Sequence, residues 1–104
     1  MSEPKFTKGP WKITALKGEF DETIWIGPER FTTIANVKNG ADDDEYGGIE
    51  TELANAHLIS AAPCMYEALH KAFEVIAQQE AEFGGPSHEG NLIRAALSKA
   101  EGKQ

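Results

Sequence analysis

Arg30, Tyr46, Asn55 and Arg94 are side chains of the types that hold a nucleotide without breaking it. A tyrosine ring stacks on a base, an asparagine amide reads a base edge, and guanidiniums pair with phosphate. Helix N-termini near residues 50, 63 and 88 would add backbone donors for an anion. Residues equipped to break bonds are scarcer. Cys64 follows Pro63 in the first turn of an expected helix, where the macrodipole favours a thiolate, yet no histidine has a partner's spacing. Starting a helix accounts for it better than nucleophilic attack does. Glu67 and His70 form one Glu-x-x-His, whereas a di-metal bundle site needs two such pairs and further carboxylates. Asp42, Asp44, Gly47 and Ile49 follow the opening of a calcium loop, but Leu53 stands where the bidentate glutamate belongs. His57 and His88 are isolated, and no phosphate-cradling glycine motif occurs. The expectation is a ligand-binding protein with no catalytic residue, no metal and no cofactor.

Bland roles compete for the same residues. Arg94 could form a surface ion pair, for instance with Glu101. Asn55 lies three and four residues before Leu58 and Ile59, so a helix would place it on their inward face. A buried amide without partners costs about 1–3 kcal/mol, so backbone, a second copy or a ligand must satisfy it there. Trp11 and Trp25 fit core or interface positions.

These residues must be positioned by a chain of 104 residues, the size of one domain spanning 1–104. Seventeen acidic and ten basic residues give a formal charge of −7, a field that disfavours DNA, RNA and anionic membranes but leaves room for a local basic pocket. One cysteine forms no internal disulfide and fits a reducing cytoplasm. No apolar run approaches a membrane span, and the start "MSEPKFTKGP" lacks a signal peptide's apolar stretch.

The hydrophobic period changes midway. "WKITAL", "TIWIG" and "FTTIANV" alternate and favour strands, separated by "KGEFDE" and "GPER". They predict an antiparallel three-stranded meander over about residues 11–38. "NGADDDEYGG" is an acidic loop between glycines. Beyond it the period is helical: about 50–61, then 63–82 after Pro63 interrupts the ladder, then 88–101 with Ser87 as cap and Gly102 as stop. The fold class is α+β. Two open sheet edges and wide helical stripes imply a homo-oligomer, at least a dimer, with the 63–82 helix in its interface.

"GPWKI", "IANV", "ANAHLISAAP", "EAL" and the closing "IRAALSKAEG" together resemble a group of small phage and prophage accessory proteins. That resemblance spans nearly the whole chain and implies action in the cytoplasm of a bacterial host. In the resembled group the position of Cys64 is usually acidic, which also suits a helix start. By fold order and size the chain is also similar to phage sponges against Thoeris immunity, which sequester cyclic ADP-ribose signals without cleaving them. The resemblance implies a counter-defence protein that sequesters a small, anionic cyclic nucleotide. The alternatives are an acidic inhibitor docking directly on a host defence protein, through Asp42 to Glu45 as a DNA-like charge pattern, or a structural module of the phage with no ligand.

Overall fold

The computed structural model describes residues 5–38 and 49–103. Three short strands, β1 (Lys12–Ala15), β2 (Ile24–Gly27) and β3 (Ala35–Val37), precede α1 (Ile49–Ser60), α2 (Ala62–Phe83) and α3 (His88–Ala100). The strands form one antiparallel sheet in the order β1-β2-β3. This is the expected α+β arrangement, with helix limits within two residues of those the periodicity gives. The chain divides into two compact units: a sheet unit, Thr7–Pro63, and a helical unit, Cys64–Gln104 with Met1–Phe6.

In the sheet unit β2 alternates Ile24 and Ile26 toward α1 with Trp25 on the other face. Ile24 is paired with Val37 and Ile26 with Ala35. Ile24, Ile26, Val37 and Ala56 close a core against which Trp11, Ile13, Leu53 and Ile59 pack. A register shift between Ile13 and Ala15 breaks the alternation expected from Trp11 through Ala15. The third strand is shorter than "FTTIANV" suggests, because Glu29 to Thr32 fold into a tight turn and only residues 35–37 pair. Gly27 is dictated by that turn: a Cβ there would run into the Thr32 carbonyl oxygen.

The same unit joins two of the sequence's distinctive blocks. A Cβ on Gly9 would stand 2.7 Å from Cβ of Pro63, and Pro63 is buried. The glycine of "GPW" thus leaves room for the proline of "AAP". Pro63 also marks the break between α1 and α2, where only Ala61 is non-helical.

Helix α1 shows the sheet a different face from the expected one. Its inward row is Glu52, Leu53, Ala56 and Ile59, while Asn55 is exposed and Leu58 is 61% exposed. Asn55 therefore does not share an inward face with Ile59. The phase is set by Ala56, fully buried against β2, with a glutamate one turn earlier that sequence periodicity assigns to solvent. Glu52 keeps only 3% of its surface exposed and meets Lys17 Nζ at 3.4 Å through Oε1. Among the described residues its Oε2 has no hydrogen-bond partner.

In the helical unit Gly84, at φ +85°, ends α2 by donating to the Glu80 carbonyl at 2.9 Å. Ser87 caps α3 as expected, its hydroxyl accepting from Gly90 N at 2.9 Å, and Gly102 follows at φ +78°.

Candidate functional site

The sheet face away from α1 carries an open aromatic cluster. Phe20 stacks on Trp25, with centroids 4.7 Å apart and planes inclined by 21°. Phe31 meets Phe20 edge-on at 6.1 Å, and the Arg30 guanidinium lies 5.4 Å above the Phe20 ring. Phe31 is 79% exposed and Phe20 is 49% exposed; Leu16 and Ile34, from the flanking loops, are exposed as well. So dense a group of large apolar side chains in water is uncommon on the surface of a monomer.

Polar groups fix the cluster from behind. Asp21 Oδ1 accepts from Thr23 Oγ1 at 2.6 Å, Thr23 N at 2.8 Å and Trp25 Nε1 at 3.2 Å. The Thr23 hydroxyl and amide favour the charged carboxylate and hold Asp21 below its ordinary range. Asn36, paired across the sheet with Trp25, donates from Nδ2 to Thr23 Oγ1 at 2.9 Å. Glu19 pairs with Arg30 at 3.5 Å while its second oxygen accepts from Leu16 N at 2.6 Å. Stacking and these bonds hold Trp25 and Arg30 in one orientation.

A second polar cluster ties the helical unit. Glu80, mostly buried, accepts from Ser87 N at 2.6 Å, from Ser87 Oγ at 2.8 Å and from the Arg94 guanidinium. The Ser87 amide, then Arg94 and the Ser87 hydroxyl, pull its pKa down to about 2. Arg94 also donates to Asn91 Oδ1 at 3.0 Å and lies 5.2 Å over the Phe73 ring. Toward the end of α3, Glu101 accepts from the Tyr66 hydroxyl and lies 3.8 Å from His70 Nε2. That bond raises the Tyr66 pKa and lowers that of Glu101, which Lys103 lowers further. Between α2 and α3 runs an open groove of about 680 Å³ lined by His70, Phe73, Glu74, Ala77, Arg94 and Leu97, among others.

The four expected ligand residues do not converge. Arg30 belongs to the aromatic cluster. Asn55 is on the solvent side of α1, across the sheet unit from that cluster. Arg94 belongs to the helical unit, and its ion pair is with Glu80, not with Glu101 as the sequence suggested. Tyr46, with the acidic run Asp42 to Glu45, lies outside the described residues. Cys64 is an exposed free thiol. Glu67 and His70 join no metal-binding group among the described residues. Sequence reasoning missed Phe20, Phe31 and Asp21. Each sits in or beside a turn, where side-chain direction has no period to read. "KGEFDE" carried one usable signal, a phenylalanine inside a charged turn.

Together these features define a small α+β protein with a prepared aromatic face on its sheet and a polar-latched helical hairpin. Residues 1–104, the whole chain, match the family model described as Salmonella phage P22 protein Y8K6, and the chain belongs to that family of phage proteins. No curated protein and no solved structure matches it. Among the described residues no helix is long and apolar enough to cross a membrane.

Proposed function

We propose that this phage protein is a non-enzymatic counter-defence factor that docks directly on a host defence protein through the Phe20, Trp25, Arg30 and Phe31 face. One observation carries the reading: exposed Phe20, Phe31 and Arg30 around the half-buried Trp25, pre-oriented by Asp21 and Glu19, have the composition of an interface hot spot. These residues line neither groove of the helical unit. Small-molecule sites are typically concave and enclose most of the ligand, whereas protein partners meet open surfaces. The net charge of −7 would steer a basic partner surface toward the chain. The counter-defence role rests on the likeness in fold order and size to phage sponges against host immunity, and the phage origin on the family.

A second reading is sequestration of a small cyclic nucleotide such as cyclic ADP-ribose. The observation favouring it is Arg30 over Phe20, which offers a ring for a base beside a cation for phosphate. Affinity capture from host lysate with wild-type protein and with the Arg30→Ala, Phe31→Ala double variant distinguishes the two. The docking reading expects a protein retained by the wild type and lost by the variant. A nucleotide mass retained in native mass spectrometry, with no protein, favours sequestration instead.

A further inference from the structure

Within the helical unit, among the described residues, no third helix or strand packs on the flanks of the α2–α3 hairpin. In α2 the row beside α3 includes Tyr66, Phe73 and Glu80. The adjoining ridge is Met65, Leu69, Ala72, Ile76, Gln79 and Phe83. Its spacing of 4-3-4-3-4 is the heptad seam by which helices pair. Met65 is 48% and Phe83 86% exposed, Ala72 and Gln79 are exposed, and Leu69 and Ile76 are only half-buried. Val75, on the flank away from α3, is 55% exposed.

The ridge complements itself when run backwards. An antiparallel pairing about a two-fold axis near Glu74 sets Met65 against Phe83, a favourable thioether–ring contact. It sets small Ala72 against large Ile76 and Leu69 against Gln79. A parallel pairing would put Ala72 on Ala72, leaving a gap. An open groove of about 360 Å³ lined by Ile76, Gln79, Phe83, Gly85, Ser87 and Glu89 lies where the antiparallel register delivers the second copy's Met65 and Leu69. At ~150–200 Å² for a large side chain, Met65, Val75 and Phe83 leave about 300 Å² per copy in water. The remaining ridge brings the total near the ~600 Å² per partner at which stable interfaces begin.

We propose that α2 pairs antiparallel with α2 of a second copy of this chain, burying the ridge from Met65 to Phe83 in a two-fold dimer. A two-fold axis makes the contact reciprocal, which the residue pairs above satisfy.

Sedimentation of the full chain should give twice the 11.3 kDa monomer mass. Ile76→Glu should weaken association by about 100-fold or more, the effect of a charge at a buried hot spot. Asn55→Ala, on the solvent side of α1, should leave it unchanged. Cross-linking reports the direction. Val75→Cys in a Cys64→Ser chain lies at the two-fold axis and should form a disulfide with its copy on mild oxidation. The wild-type chain, whose sole thiol is Cys64, should not, because the antiparallel register separates the two thiols by roughly 30 Å at 1.5 Å per residue. A monomer at about 100 µM, association indifferent to Ile76→Glu, or a Cys64–Cys64 disulfide would each overturn the proposal. Should Ile76→Glu fail to fold, the Val75→Cys cross-link still decides it.

Discussion

The sheet unit and the helical unit solve the burial problem differently. In the first, two layers meet, and Ile24, Ile26, Val37 and Ala56 close on each other. In the second, Leu97 is the one large apolar side chain fully buried among the described residues, and a carboxylate latch between Glu80, Ser87 and Arg94 ties the turn. A closed apolar core is insensitive to acid; a carboxylate latch is not. The contrast also separates roles. A self-sufficient layer pair can display aromatics outward at no cost to its core, whereas a hairpin with an uncovered ridge calls for a second layer.

The largest effect should fall on the sheet unit. Ile26→Ala removes a fully buried side chain between β2 and α1 and should cost about 2–5 kcal/mol in chemical unfolding, because the pocket cannot collapse completely. Val75→Ala, on the exposed flank of α2, should fall within about 0.5 kcal/mol when measured on dilute protein. Similar losses at both sites would erase the distinction.

Next comes the buried charge. Lys17→Met leaves Glu52 without the cation it meets among the described residues and should cost about 1–3 kcal/mol, whereas Glu52→Met, which removes the buried carboxylate itself, should be neutral or stabilising. If both substitutions destabilise equally, Glu52 is a structural asset to the unit and not a tolerated liability.

The latch gives the pH dependence. Glu80 has a folded pKa of about 2 against an ordinary 4.5, so the folded state binds fewer protons than the unfolded chain between those values. Its contribution is fully present above about pH 4.5 and fades as pH falls toward 2. Thermal melts across that window should show acid weakening in the wild type that Glu80→Gln reduces by the share of the latch, while Asp21 and Glu101, whose pKa values are also lowered, carry the remainder. Gly90→Ala should act similarly. Its Cβ would occupy the position of Glu80 Oε2, so the usual gain of about 1 kcal/mol from replacing a helical glycine should become a loss.

These expectations also show where sequence periodicity suffices. The helices were legible because Pro63, Ser87 and Gly102 punctuate a 3.6-residue pattern, and the strands because β2 alternates cleanly. Helix α1 misled because its inward row contains Glu52, so counting apolar residues alone turned Asn55 and Leu58 inward. Arg94, a candidate for phosphate by residue type, forms an ion pair with Glu80, which lies fourteen positions away across the α2–α3 turn, so only the fold brings the two together. Of the expected ligand residues, Arg30 alone stands in the aromatic cluster. Phe20 and Phe31, its neighbours there, come from turns whose side-chain directions no period encodes. The smallest effect follows from the same correction: Asn55→Ala should change stability by no more than about 0.5 kcal/mol, as expected of a solvent-facing position.

The most direct measurement of the docking role is quantitative capture of host proteins by three forms of the full chain: wild type, the Arg30→Ala, Phe31→Ala double variant, and Asn55→Ala. All three should melt alike, because none of these side chains contributes to the closed core. The account predicts that one host protein is retained equally by wild type and Asn55→Ala and is lost, by about 100-fold or more in affinity, from the double variant. Retention of the same protein by the double variant, or its loss from Asn55→Ala, would contradict the assignment of partner binding to the aromatic face.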